Sequence, residues 1–152
     1  MKDTWPQFQP ADDSVLISVR PQYVEQIVSG EKNVEFRRVW PLRSIGTLVV
    51  YSTSPSQCLA AVVEVTETVR ASKATLWRVA TEEGGGITKR ALMDYFTGKD
   101  LGIALRLGRR TSFSAGLTAK SAFGPSFRAP QSFRYLNDRE KAVVRKLLNQ
   151  IK

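Results

Sequence analysis

A helix, a glycine turn and a strand near the N-terminus constrain the fold more than any other part of the chain. Residues Pro21 to Ser29 are predicted to form a helix, because proline suits a first helical turn and the apolar side chains recur at i,i+4 spacing. Gly30 ends this helix, and the run from Val34 to Val39 is predicted to be a strand with Glu35 and Arg37 on one face. The unit favours a mixed α+β domain.

The rest of the chain consists of short apolar runs broken by turn residues. The run from Asp100 to Gly108 is predicted to be a half-buried strand, because its apolar residues alternate strictly. The other predicted strands are Val15–Val19, Gly46–Tyr51, Leu59–Val69 and Phe133–Leu136. Helices are predicted from Ser72 to about Thr81, from Thr88 to Thr97, and from Asn137 or Asp138 through Ile151, whereas residues 111–131 are predicted to be a loop or an extended excursion. The pattern predicts a small mixed β-barrel with peripheral short helices.

The length of 152 residues indicates one compact domain. We expect a loosely ordered lead-in over residues 1–13, the domain itself over residues 14–112, and a basic loop, strand and helix over residues 113–152, packed on that domain. No apolar run is long enough to span a membrane, and no signal-peptide pattern begins the chain. These features predict a cytoplasmic protein that makes no membrane contact, and they predict no particular oligomeric state.

Histidine is absent and Cys58 is the single cysteine. An internal disulfide and a multi-cysteine zinc site are therefore excluded, as is every mechanism that needs a histidine base or ligand. We expect neither a metal nor another cofactor. Lysine, carboxylate, tyrosine and hydroxyl side chains remain available for chemistry.

The net charge of +9 is concentrated in the second half of the chain. Residues 1–70 carry 7 basic and 8 acidic side chains, whereas residues 71–152 carry 16 and 6. A field of this sign favours polyanions, of which nucleic acid is the commonest soluble one, although a basic surface also serves solubility alone.

The helix-turn-strand unit contains the sequence G-E-K-N-V-E-F-R from Gly30 to Arg37, which has the form G-x-K-x-x-E-x-R. Lys32, Glu35 and Arg37 place three alternating charges at one strand entrance. Such a group can hold a polar ligand or a phosphate beside a base edge, but it is also what a surface ion-pair cluster on an edge strand looks like. The motif by itself favours the surface ion-pair cluster, which is common on edge strands.

This motif, together with the preceding S-V-R-P-Q-Y at residues 18–23, resembles the activating-signal-cointegrator homology (ASCH) domain of the PUA-like superfamily. The resemblance covers about Val15 to Arg109, and Ala129 to Leu136 is similar to a tail of longer members. It implies a small β-barrel with an open cleft lined by the G-x-K-x-x-E-x-R segment. It also implies an RNA or modified-nucleobase ligand.

Some small bacterial members of the family hydrolyse the amide of N4-acetylcytidine with a lysine, a threonine and a glutamate. The resemblance places that lysine at Lys32 and, loosely, the glutamate at Glu83. Glu35 stands where the threonine would be, so the nucleophile of this reaction is missing. Lys32, Glu35 and Glu83 remain catalytic candidates for metal-independent hydrolysis of RNA or of an acylated nucleoside.

The main prediction is a basic cleft that binds RNA or a nucleoside around Lys32. A lysine exposed beside two carboxylates would keep an ordinary or raised pKa, which suits phosphate binding better than catalysis. We expect stacking or hydrogen-bonding neighbours and further cations around the motif; these candidate binding residues are Arg20, Glu35, Arg37, Arg38, Trp40, Tyr51, Ser52, Arg109 and Arg110. A transcription-associated interaction module is a third alternative. Residues Gly84 to Gly86 are predicted to be a flexible lip able to gate the cleft.

Overall fold

The structure is a computed structural model and describes residues 13–151. Apart from Asp13, the predicted lead-in lies outside the described residues. The elements follow in chain order as β1 (Ser14–Val19), α1 (Pro21–Ser29), β2 (Val34–Arg37), β3 (Thr47–Ser52), β4 (Cys58–Ser72), α2 (Lys73–Glu83), α3 (Lys89–Tyr95), β5 (Leu101–Ser112), α4 (Ala119–Phe123), β6 (Phe133–Tyr135) and α5 (Asp138–Gln150).

The strands form one mixed sheet of six strands in the order β2-β5-β4-β3-β1-β6. The pairing is antiparallel except between β1 and β3. Irregular register between β3 and β4, and twice between β4 and β5, adds local twist and bends the sheet. The sheet curls into a half-barrel, and the fold is α+β, as the sequence predicts.

The curl brings the two ends of the sheet within reach of a single side chain. Arg37 on β2 donates from Nη2 to the backbone oxygen of Ser18 on β1 at 2.9 Å, and from Nη1 to Ser132 Oγ, just before β6, at 3.2 Å. Strand β2 is first in the sheet order and β6 is last, so these bonds close the open side of the barrel.

Helices cover the sheet on both faces. Val15 and Ile17 of β1 pack with α1 through Val24 and Ile27, whereas Leu16 between them packs on the other face with α4 and α5. A third cluster joins β2 to helices α2 and α3. Glu35 and Arg37 pair with Leu105 and Ile103 of β5, which belong to the α1 cluster, so the charged face of β2 lies on the α1 side of the sheet.

Residues 111–131 differ from the expected loop. Strand β5 continues to Ser112, and the short helix α4 begins after Thr118, whose side chain accepts a hydrogen bond from the Ser121 amide. Ala119 and Phe123 on α4 are buried against the sheet. Threonine is a common helix cap, but a helix of five residues has no strong sequence pattern. This helix is stabilised by the burial of its apolar side chains.

Candidate ligand cleft between β1, β2 and α3

One cleft of about 580 Å³ opens beside β2, between helices α1 and α3. The carboxyl end of β1, helix α1, strand β2 with its preceding turn, and helix α3 with the residue Ile87 before it form its walls. The lining residues are Ser18, Val19, Arg20, Tyr23, Lys32, Glu35, Phe36, Arg37, Ile87, Ala91, Asp94 and Tyr95. The structure thus brings together Arg20, Lys32, Glu35 and Arg37 of the predicted binding residues.

Lys32 is buried rather than exposed, with 3% of its surface accessible. Its ammonium donates to the backbone oxygen of Gly85 and lies 3.8 Å from Glu35 Oε1. The Nζ atom is also 5.3 Å from the ring centroids of both Tyr23 and Phe36. Burial lowers the pKa of Lys32; Glu35 opposes this effect and Arg37 adds to it. The expectation of an exposed lysine with an ordinary or raised pKa is therefore wrong.

The turn that carries Lys32 is held from two sides. Arg110 on β5 donates from Nη2 to the Lys32 backbone oxygen at 3.2 Å and to Asn33 Oδ1 at 2.8 Å. On the other side the Asn33 amide donates to the Gly84 oxygen at 2.6 Å. Arg110 does not line the cleft, so in this structure it positions the motif turn rather than facing a ligand.

The Gly84–Gly86 run forms a packed turn. Gly85 is buried, its amide donates to the Ala80 oxygen at 2.8 Å, and a Cβ at this position would lie 2.7 Å from that of Ala80. This close approach requires glycine and delivers the Gly85 carbonyl to Lys32. The predicted flexible lip is thus a turn packed against Ala80 at Gly85, and none of its three glycines lines the cleft.

Glu35 and Arg37 form a buried ion pair along β2. Arg37 donates from Nε and Nη2 to Glu35 Oε2 at 2.9 and 2.6 Å, and 8% of the Arg37 surface is accessible. Two carboxylate contacts and the two bonds across the sheet ends occupy the guanidinium. Glu35 Oε1 is the carboxylate oxygen that faces Lys32.

The rim of the cleft carries charges of both signs and a tyrosine. Arg20 and Asp94 are exposed there, and Tyr95 is 37% accessible. Arg38 donates from Nη1 to the backbone oxygens of Tyr95 and Thr97 at 2.6 and 2.9 Å. Arg38 therefore holds the end of α3 in place, although it does not itself line the cleft.

Three predicted neighbours of the motif lie away from the cleft. Trp40 is buried in the α1 cluster, with its ring 4.7 Å from that of Phe133. Tyr51 is buried on the opposite face of the sheet, 5.3 Å from the Phe127 ring, and this burial raises its pKa. Ser52 is buried at the end of β3. Stacking by Trp40 or Tyr51 on a ligand in this cleft is excluded by these positions, because a side chain packed in a core has no free face.

Glu83 and Arg109 also lie outside the lining residues. Glu83 accepts from Arg106 Nε and Nη2 at 2.8 and 2.9 Å, and Arg106 makes a second ion pair with Glu67. Arg109 is exposed on β5, and its amide donates to Glu64. A direct role for Glu83 beside Lys32 finds no support in this arrangement.

The predicted site residues did not include eight of the residues that line the cleft, which are Ser18, Val19, Tyr23, Phe36, Ile87, Ala91, Asp94 and Tyr95. Tyr23 packs against the α1 cluster and also lines the cleft, and the i,i+4 spacing of apolar residues in α1 predicts only the packing. Asp94 and Tyr95 follow the motif by more than fifty residues, and no local signal associates them with it.

Two further findings concern residues 13–151 only. No group of three or more acidic, cysteine or histidine side chains there is placed to hold a metal ion. No helix among them is long and apolar enough to cross a membrane.

Known proteins resemble the chain over nearly its whole length. The family model of the ASCH domain matches residues 17–149. A curated relative from Zymomonas mobilis subsp. mobilis, described as an ASCH domain-containing ribonuclease, is 27% identical over 144 residues, which are 93% of this chain and 97% of the relative.

Solved structures agree with the family model. The crystal structure of ASCH from Zymomonas mobilis has a TM-score of 0.79 at 26% identity, covering 91% of this chain and 98% of that chain. A Ser-to-Ala mutant of ASCH from Zymomonas mobilis gives 0.79 at 25% identity, covering 91% and 99%. The chain belongs to the ASCH domain family, and its curled sheet with short helices is the PUA-like fold.

Proposed function

We propose that this protein binds RNA and that the cleft around Lys32 takes one unpaired nucleotide of the strand. The observation that carries the proposal is the convergence of Lys32, Glu35, Arg37 and Arg20 on one concavity of about 580 Å³. The net charge of +9 and the relative named a ribonuclease support the choice of RNA as the ligand.

The charges of the cleft suit a nucleotide better than a bare anion. Arg37 is occupied by Glu35 and by the two ends of the sheet, so it contributes little free positive charge. Lys32 supplies donors, Glu35 Oε1 an acceptor, and Arg20 on the rim a guanidinium for phosphate. The rings of Tyr23 and Tyr95 offer apolar walls for a base.

The test is binding of a fluorescent single-stranded RNA to the wild type and to Lys32→Met. Methionine keeps an apolar stem against the Tyr23 and Phe36 rings and removes the ammonium. We expect Kd to rise at least about tenfold, because a hydrogen bond to a charged group contributes about 1.5–3 kcal/mol.

The matched control removes one positive charge elsewhere. Lys73 on α2 does not line the cleft, and Lys73→Met is expected to change Kd by no more than about twofold at moderate salt. Equal affinities of the two variants, with both folded by thermal unfolding, would contradict the proposed cleft.

A second candidate function is metal-independent cleavage of RNA. The specific observation in its favour is the burial that lowers the pKa of Lys32 while Glu35 lies 3.8 Å away. A lysine whose pKa is lowered can accept a proton from a 2′-hydroxyl. The 2′-oxygen then bonds to the adjacent phosphorus, and the P–O5′ bond breaks as the protonated lysine returns its proton to the leaving 5′-oxygen. The name of the Zymomonas mobilis relative points in the same direction.

Labelled RNA and acylated cytidine, each incubated with the protein and a chelator, separate the alternatives. Cleavage requires the 2′-hydroxyl in this mechanism, so a strand with a single 2′-deoxynucleotide at the cut position must stay intact. Retention of RNA without products indicates a binding protein, and release of acetate indicates an amidohydrolase. A protein partner retained after nuclease treatment, with no RNA binding, indicates the interaction module.

A further inference from the structure

The amine of Lys32 lines an open cleft, but its neighbours in the structure are protein groups. The Gly85 carbonyl takes one N–H, the Tyr23 and Phe36 rings flank the nitrogen, and Glu35 Oε1 lies 3.8 Å away. RNA binding needs only a positive charge at the position of Lys32. An exposed ammonium would supply that charge without the free-energy cost of burying it. Desolvation of an amine, here with the Arg37 cation nearby, is an environment in which lysine reacts with carbonyl groups.

We propose that Lys32 is a carbonyl-reactive amine that forms an imine with the open-chain sugar aldehyde of a nucleotide that has lost its base. This activity is separate from the proposed binding of intact RNA and uses the nucleophilic character of the same nitrogen. The lowered pKa of Lys32 supports it, because only the neutral amine has a free electron pair.

The reaction balances with the groups present. The electron pair of Nζ forms a C–N bond to the aldehyde carbon, and the π pair of the C=O bond moves to oxygen. Glu35 takes a proton from nitrogen and returns it to that oxygen, giving a carbinolamine. The C–O bond then breaks, water leaves with the second nitrogen proton, and the C=N bond forms.

The shape and charge of the cleft indicate the substrate class. A nucleotide without its base leaves the cleft volume free for the sugar carbon to approach Nζ. Arg20, at the rim, is placed to hold a flanking phosphate, and the net charge of +9 attracts the strand. A small neutral aldehyde has no phosphate for Arg20 to bind, and the net charge of the protein does not attract it.

The experiment is reductive trapping. The full-length protein is incubated with a single-stranded oligonucleotide that carries one abasic site, together with sodium cyanoborohydride, which reduces an imine to a stable secondary amine. We expect a covalent adduct on a denaturing gel, absent for the same strand with its base intact, and mass mapping of the adduct to Lys32.

Two variants sharpen the test. Lys32→Arg keeps the positive charge but stays protonated, so adduct formation is expected to fall at least about tenfold. Lys146→Arg, on an exposed part of α5, is expected to trap like the wild type. No wild-type adduct, or mapping mainly to other lysines, overturns the proposal even if Lys32→Arg is poorly folded. Anisotropy with the intact RNA strand, measured in parallel, reports on the proposed function alone.

Discussion

The guanidinium of Arg37 donates to the backbone oxygen of Ser18 at 2.9 Å, and this bond ties the first strand of the sheet order to β1, beside the last. The same guanidinium holds Glu35, whose other oxygen faces Lys32. Arg37 therefore has two roles: it joins the ends of the half-barrel, and it positions the Glu35 carboxylate in the cleft.

Loss of this guanidinium is expected to destabilise the fold strongly. Arg37→Met leaves the buried Glu35 with Lys32, 3.8 Å away, as its remaining charged partner, and removal of one member of a buried pair costs about 3–5 kcal/mol. Urea unfolding measures the loss. Arg43→Met removes an exposed pair with Asp13 and is expected to change the free energy of unfolding very little. Similar losses in both variants would show that Arg37 does not close the sheet.

The buried Lys32 is expected to make stability depend on pH above neutrality. Its pKa is lowered by burial in the folded state, whereas the unfolded chain keeps the ordinary value of 10.5. Between these two values the unfolded state binds more protons, so the free energy of unfolding of the wild type rises with pH relative to Lys32→Met. Urea unfolding of both proteins from neutral pH to about pH 10 checks the sign. A constant difference between them would mean that Lys32 has the same pKa in both states.

Arg110 is expected to affect RNA binding without lining the cleft. Arg110→Ala removes two of the hydrogen bonds that hold the Lys32–Asn33 turn, and we expect Kd to rise about three- to tenfold beyond the effect of lost charge. Arg109→Ala, on the same strand, removes an equal charge and is the matched control. If the two variants weaken binding equally at every salt concentration, Arg110 acts by charge and not by position.

The C-terminal helix is expected to lose stability in acid through Glu140. Burial alone would raise the pKa of Glu140, but Arg134 and the Asn137 amide hold it below its ordinary value. Its contribution is therefore present above pH 4.5 and lost as the pH falls through the lowered value. Glu140→Gln should cost about 1–2 kcal/mol at neutral pH and much less in acid. An equal cost at both pH values by urea unfolding would contradict this account.

Local chemistry made most of the elements predictable. Ser72, Thr88 and Asn137 cap the helices that follow them, and Gly30 ends α1 in the left-handed region at φ 87°. These interactions join residues that are close in sequence, so they can be predicted from the sequence. The same is true of the G-x-K-x-x-E-x-R pattern, which placed Glu35 and Arg37 on one strand face and indicated the family.

The roles of individual side chains depended on distant parts of the chain. The carbonyl that buries Lys32 comes from Gly85, and the guanidinium that holds its turn comes from Arg110. Trp40 and Tyr51 were candidates for stacking on a base, and only their positions in the sheet showed that both are core residues.

The sequence alone thus determined the fold class, the helix boundaries set by caps and the charged strand face, because each depends on neighbours within a turn or a strand pair. Only the tertiary structure decided that Lys32 is desolvated, that Arg37 joins the sheet ends and that α3 walls the cleft. Burial and long-range hydrogen bonds depend on which segments meet when the sheet curls, and that information is spread over the whole chain.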